Sequence, residues 1–139
     1  MKLRIPTLTM VSAVAALTTL SASQAETGLS PKASQKLAQQ LQGRSAGPPV
    51  NCVPNIRGQA HMRVIDDSTI LFRDQSTIYL QRPRNACHGI EDGKYSLITR
   101  KFGSQQICSG DINQLVDVGT GFHAGFCTFG PFVPYRRAR

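Results

Sequence analysis

The stretch "AHMRVIDDSTILFRDQSTIYLQ", residues 60–81, contains three runs of β-branched, aromatic and aliphatic residues separated by two polar breaks. The breaks are "DDS" at 66–68 and "RDQS" at 73–76. Their Asp and Ser residues favour turns, because these side chains hydrogen-bond the local backbone. Short apolar runs joined by such turns are typical of β-hairpins. The stretch therefore predicts consecutive antiparallel strands rather than helices.

The same pattern continues almost to the C-terminus. Further strand-like runs are "YSLITRKF" at 95–102, "INQLVDV" at 112–118 and "GFCTFGPFV" at 125–133, and the breaks between them are "IEDG", "GSQQ" and "GTG". Strands at this regular spacing predict an all-β fold, a small barrel or sandwich of about five to seven strands. We place this all-β domain at residues 52–135, followed by a basic tail at 136–139.

The N-terminus has the pattern of a secretory signal peptide. Lys2 and Arg4 precede an apolar run that ends in small residues at Ser23 and Ala25. A membrane anchor is the alternative, but the run is short and Pro6 interrupts it. We predict cleavage near Ala25, a periplasmic or secreted location, and no transmembrane segment in the mature chain. That chain has fourteen basic and eight acidic residues, a net charge of +6.

Residues 26–51 predict a short helix followed by a linker. Ser30 is a suitable N-cap, Pro31 suits the first helical position, and Gly43 is a stop signal. Ala33, Leu37 and Leu41 recur at a spacing of four, which places them on one stripe of the helix. This stripe could dock on the β domain or on a partner.

The four cysteines predict a disulfide framework, because an exported chain reaches an oxidising compartment. Cys52, Cys87, Cys108 and Cys127 allow three pairings. If the strands simply alternate in direction, Cys108 and Cys127 lie at the same end of a hairpin. That arrangement favours Cys108 with Cys127 and leaves Cys52 for Cys87, although one crossover connection would change it.

From Cys52 to Pro134 the chain resembles a family of small exported proteobacterial proteins that share a four-cysteine domain of unknown function. The resemblance is carried by the order and spacing of "CVPNIR", "VIDDSTILF", "CHGIE", "ICSGDINQLVDVGTGF" and "GFCTFGPFVP". It implies a shared fold with paired cysteines and no established activity. Family members commonly have proline where this chain has His88, so His88 is a poor candidate for shared chemistry.

No segment predicts a catalytic residue, a cofactor site or a metal site. Cys87 and His88 are adjacent, which does not match the spacing of zinc ligands. Asp66 and Asp67 would point to opposite faces of a strand, so a hairpin turn is the better interpretation than an acid–base pair. Asp111 could form a structural ion pair with Arg57, an arginine that the family pattern also contains.

Basic character is the remaining functional signal. Clustered arginines and lysines favour polyanions, whereas a solvated surface that keeps the chain soluble is the simpler alternative. We predict a non-enzymatic envelope or interaction module that binds a polyanion, either an anionic envelope component or an acidic protein. The alternatives are an enzyme with an unrecognised site and a disulfide-rich inhibitor-like protein. The candidate contacts are Arg82, Arg84, Arg100, Lys101, Arg136, Arg137 and Arg139.

Overall fold

The computed structural model describes residues 28–54, 61–101 and 106–138, so the predicted signal peptide, Arg57 and Arg139 lie outside the described residues. Within these ranges the chain forms one helix and ten strands, which confirms the all-β prediction with one short helix. Three of the strands have only two or three residues. The elements are α1 (Pro31–Leu41), β1 (Arg44–Ala46), β2 (Cys52–Val53), β3 (Met62–Asp66), β4 (Thr69–Asp74), β5 (Thr77–Gln81), β6 (Tyr95–Thr99), β7 (Ile107–Cys108), β8 (Ile112–Asp117), β9 (His123–Thr128) and β10 (Phe132–Arg137).

The strands form three antiparallel sheets. The largest has the order β1-β10-β5-β4-β3, the second has the order β6-β8-β9, and β2 pairs with β7. Strands β3, β4 and β5 are the consecutive hairpins predicted from residues 60–81. Strand β10 returns from the end of the chain to lie beside β5.

The main hydrophobic core draws side chains from both larger sheets. Phe72 on β4 and Phe132 on β10 belong to it together with Leu97 on β6 and Leu115 on β8. The rings of Phe72, Phe129 and Phe132 meet edge to face, with centroids 5.7–5.9 Å apart. This geometry suits aromatic rings, because the positive edge of one ring meets the negative face of another.

Helix α1 covers the opposite face of the five-stranded sheet. Ala33 and Leu37 are buried against a second cluster that includes Leu71 and Ile78. The Oγ of Ser30 accepts a hydrogen bond from the Ala33 backbone N–H at 3.2 Å. Both the predicted N-cap and the predicted apolar stripe are therefore present, and the helix docks on the β domain. The central strands β4 and β5 consequently have apolar side chains buried on both faces.

Part of the segment predicted as a linker pairs with the sheet. Residues 44–46 form β1, which pairs with β10, and Val50 bridges to Phe132. The predicted basic tail likewise begins inside β10, since Arg136 and Arg137 are strand residues. The backbone of β10 would otherwise expose a row of unpaired N–H and C=O groups, and β1 satisfies them. A three-residue strand with polar content gives little sequence signal.

All four cysteines form disulfides, as predicted, but the favoured pairing is wrong. The bonds are Cys52–Cys108 and Cys87–Cys127. Cys52 and Cys108 lie directly opposite each other in the β2–β7 ladder. The strands do not simply alternate in direction along the chain, because β2 pairs with β7, which follows it by more than fifty residues. The partner of Cys127 in the β8–β9 ladder is Asn113 rather than Cys108.

Asp66 ends β3 and Asp67 begins the β3–β4 turn, so the predicted hairpin turn is present, and Asp67 also bonds the loop after Cys87. Its carboxylate accepts the backbone N–H groups of Gly89 at 2.9 Å and Glu91 at 3.0 Å. Its carbonyl accepts the N–H of Cys87 at 2.7 Å. Asp67 therefore fixes the loop that follows Cys87 to the five-stranded sheet.

Gly89 in this loop should tolerate no side chain. Its φ is +83°, and a Cβ atom there would lie 2.5 Å from Cδ2 of Tyr95. We expect Gly89→Ala to lower the free energy of unfolding by about 2–4 kcal/mol, combining backbone strain with steric overlap. Urea unfolding of both proteins measures this difference.

Gly93→Ala is the matched control. Gly93 has a similar φ of +70°, but no atom lies within 4 Å of its added Cβ. Gly93→Ala should therefore lower the free energy of unfolding only by the cost of the backbone strain, about 1 kcal/mol. Equal losses for the two variants would contradict the contact with Tyr95.

Candidate functional site

Arginines extend beyond helix α1 on the face of the five-stranded sheet that the helix covers. Leu71 on β4 packs in the helix-side cluster, and Arg73 lies two residues further along the same strand. Since side chains two apart in a strand share a face, Arg73 is on the helix side. Arg63 lies opposite Leu71 on β3 and shares that face too. Both arginines are exposed.

A second pair of arginines continues this face along β10 and β1. Tyr135 packs against the helix-side cluster, and Arg137 follows it two residues later. Arg44 on β1 lies directly opposite Arg137. A guanidinium Nη1 of Arg44 donates to the carbonyl oxygens of Ser76 and, at 3.5 Å, of Tyr135, which holds the side chain on the sheet.

The arginines influence one another electrostatically. The pKa of Arg44 is lowered, first by loss of hydration and then by the positive charges of Arg137 and Arg73. Arg44 nevertheless stays protonated, because arginine ionises far above neutral pH. Three guanidinium groups from β1, β4 and β10 thus share one positive field. We call Arg44, Arg63, Arg73 and Arg137 the basic surface.

A groove of about 220 Å³ lies between the C-terminal part of α1 and strands β3 and β4. Arg63 and Arg73 line it, together with Gln40 from the helix and His61. Leu71 and Ile78 add an apolar lining. The volume is smaller than the roughly 300–1,000 Å³ of most ligand pockets, so it suits one anionic group rather than a whole small molecule.

The described part of the chain places no ion-paired carboxylate on this surface. Among the described residues, Arg63, Arg73 and Arg137 form no ion pair with an acidic side chain. Asp66, at the hairpin end of β3, accepts the backbone N–H of Ser68 at 2.9 Å in its own turn. An anion that approaches the groove therefore meets hydrogen-bond donors and arginines that no described carboxylate pairs with.

The basic residues singled out from the sequence do not form one patch. Arg137 belongs to the basic surface, whereas Arg82 and Arg84 follow β5 at the other end of the sheet. There, Arg84 Nη2 is 3.5 Å from Ser109 Oγ. Arg100 and Lys101 follow β6 in the other sheet. Sequence reasoning missed Arg44, Arg63 and Arg73, because each is a single cation, and only strand register brings them together.

Asp111 has a different observed partner from the one predicted. Its carboxylate forms an ion pair with the ammonium group of Lys101 and accepts the Cys108 N–H at 2.6 Å. Lys101 is therefore engaged in holding the β7–β8 connection. The Arg57–Asp111 pair remains a prediction, since Arg57 is not described.

Thiol chemistry has no reactive group here, because every cysteine is in a disulfide. His88 is 85% exposed, with Nδ1 3.8 Å from an oxygen of Asp67. In the described part of the chain, no three side chains of the metal-binding types converge. These observations leave the basic surface as the candidate site.

The fold and site together define a disulfide-bonded, mostly β domain with a helix on one side and an arginine-lined groove beside it. The chain matches no family model, no curated protein and no solved structure. In the ranges that the structure describes, no helix has the length and apolar character needed to cross a membrane.

Proposed function

We propose that this protein is an exported, non-enzymatic binding module that holds an anionic polymer of the cell envelope on its basic surface. The observation that carries the proposal is the register of the five-stranded sheet, which aligns Arg44, Arg63, Arg73 and Arg137 on one face. The signal-peptide pattern and the two disulfides support a periplasmic or secreted location.

The chemistry favours a repeated anion over a single small ligand. The groove has room for one phosphate, sulfate or carboxylate group, and Arg44 and Arg137 lie further along the same face. Guanidinium groups suit such anions because they donate two parallel hydrogen bonds. A polymer with regularly spaced negative charges could engage the groove and the adjoining arginines together.

The proposal predicts strongly salt-dependent binding of purified lipopolysaccharide and of heparin. If four arginines release counterions, affinity should fall about 150-fold between about 50 and 200 mM salt. In Arg63→Gln/Arg73→Gln the slope of log K against log salt should fall by about 2. Titration calorimetry or fluorescence anisotropy over a salt series measures both quantities.

Arg82→Gln/Arg84→Gln is the matched control, since it removes the same charge at the other end of the sheet. It should leave the slope close to that of the wild type. If both double variants lose the same affinity, binding follows net charge alone, and the basic surface is not a site. If neither polymer binds but an acidic protein does, the envelope polymer is the wrong ligand class.

A further inference from the structure

The outer face of the three-stranded sheet carries apolar side chains that no described residue covers. Ile98, Gln114 and Phe126 lie opposite one another on β6, β8 and β9, so they share one face. Their chain neighbours Leu97 and Leu115 are buried on the inner face. Phe126 is 61% exposed, and its ring contacts that of His123 at 5.5 Å between centroids.

Within its strands this face is mainly apolar. Five large apolar side chains on it and in the adjoining β8–β9 loop are 42–75% exposed, namely Ile98, Ile112, Val118, Phe122 and Phe126. With side-chain areas of about 150–250 Å², they expose roughly 500 Å². The outward strand positions carry no Asp, Glu, Lys or Arg, and they are Ser96, Ile98, Ile112, Gln114, Val116, His123, Phe126 and Thr128.

We propose that this face binds a second copy of the chain and forms a two-fold symmetric dimer. A standard interface covers about 800 Å² on each partner. Homodimer interfaces are about 65% apolar, which requires roughly 500 Å² of apolar surface on each side. The exposed apolar area of this face, taken together with Val118 and Phe122 of the adjoining β8–β9 loop, is close to that requirement.

Gln114 distinguishes a second copy from other occupants. It occupies the centre of the face, between Ile98 and Phe126. A lipid tail or an apolar peptide would bury its amide without a partner, which is unfavourable. Across a two-fold axis the amide meets its own copy, and two amides can each donate one hydrogen bond and accept one.

The symmetry also places apolar groups against each other. An axis along β8 sets Phe126 of one copy over Ile98 of the other, and an axis across the strands sets the two Phe126 rings together. Face-to-face sheets pack about 10 Å apart, which these side chains fill. The basic surface lies beyond the core on the far side of the five-stranded sheet. A dimer therefore leaves both basic surfaces exposed.

Introducing a charge at Gln114 tests the proposal. Protein purified after expression of the full sequence should sediment as a dimer in the micromolar range. Gln114→Glu and Gln114→Lys should each weaken self-association about a hundredfold, because like charges would face each other across the axis. An equimolar mixture of the two variants should recover the dimer mass. Sedimentation equilibrium measures all three samples.

Gln39→Glu and Gln39→Lys, on the exposed face of α1, are the matched controls and should dimerise like the wild type. Melting curves check that every variant is folded. A monomeric wild type, or a mixture that stays monomeric, would overturn the proposal. Binding of a monomeric wild type to phosphatidylglycerol vesicles, lost in Phe126→Ser, would overturn it in favour of a lipid surface.

Discussion

Replacing the Cys87–Cys127 disulfide with two alanines should lower the free energy of unfolding by about 4 kcal/mol or more. The bond joins residues 40 apart. Its loss increases the chain entropy of the unfolded state, which lowers the free energy of unfolding by about 4 kcal/mol. Both cysteines lie in the main core at 0% and 1% exposure, so the variant also loses buried contacts. Urea unfolding of Cys87→Ala/Cys127→Ala measures the loss.

Cys52→Ala/Cys108→Ala separates the contribution of chain entropy from that of buried contacts. Its residues are 56 apart, so the entropic term is again about 4 kcal/mol. Both cysteines are only half-buried, in the two short strands β2 and β7. We therefore expect the smaller loss from this variant. A peptide map of the unreduced protein that joins Cys108 to Cys127 would contradict both observed pairings.

Local features of the fold were readable from the sequence, because local physics decides them. Ser30 and Pro31 begin a helix through capping and φ restriction within one turn. The β3–β4 turn is fixed by Asp66, whose carboxylate bonds two residues on. Gly125 has a φ of +137° beside the register shift between Leu115 and Val116, where glycine allows a β-bulge.

Features that depend on distant strand pairing were not readable. The Cys52–Cys108 bond requires β2 to pair with β7, and a two-residue strand has no periodicity to detect. The basic surface depends on register, because a shift of one residue in β4 would turn Arg73 to the other face. Clusters in the sequence, such as Arg82 with Arg84, therefore do not include the three arginines that strand register adds to Arg137.

Gln81 is a buried polar residue whose importance the sequence did not reveal. It is 0% exposed at the end of β5. Its Nε2 donates to the carbonyl of Gly130 at 2.8 Å, and its Oε1 accepts the Gly130 N–H at 3.1 Å. A Cβ at position 130 would lie 2.6 Å from the Arg82 carbonyl oxygen, so only glycine allows this approach. The amide thus satisfies both backbone groups of Gly130.

Gln81→Met should lower the free energy of unfolding by about 4 kcal/mol. The side chain keeps its approximate volume, but two buried backbone groups lose their partners, at about 1–3 kcal/mol each. Chemical denaturation measures the loss, with Gln39→Met on the exposed face of α1 as the control, expected within about 0.5 kcal/mol of the wild type. Similar losses for the two variants would show that the Gly130 contact contributes little.

Gln81→Glu extends the test through pH. At neutral pH its carboxylate can accept the Gly130 N–H but cannot donate to the carbonyl. The variant also buries a charge, so it should be less stable than Gln81→Met. Burial raises the pKa of such a carboxyl in the folded state above its unfolded value of about 4.3. Folding therefore favours proton uptake, and the deficit relative to the wild type should shrink as pH falls through that raised pKa. Once protonated, the carboxyl can donate and accept as the amide does. A deficit that does not change with pH would mean that residue 81 reaches water, which would contradict its buried position.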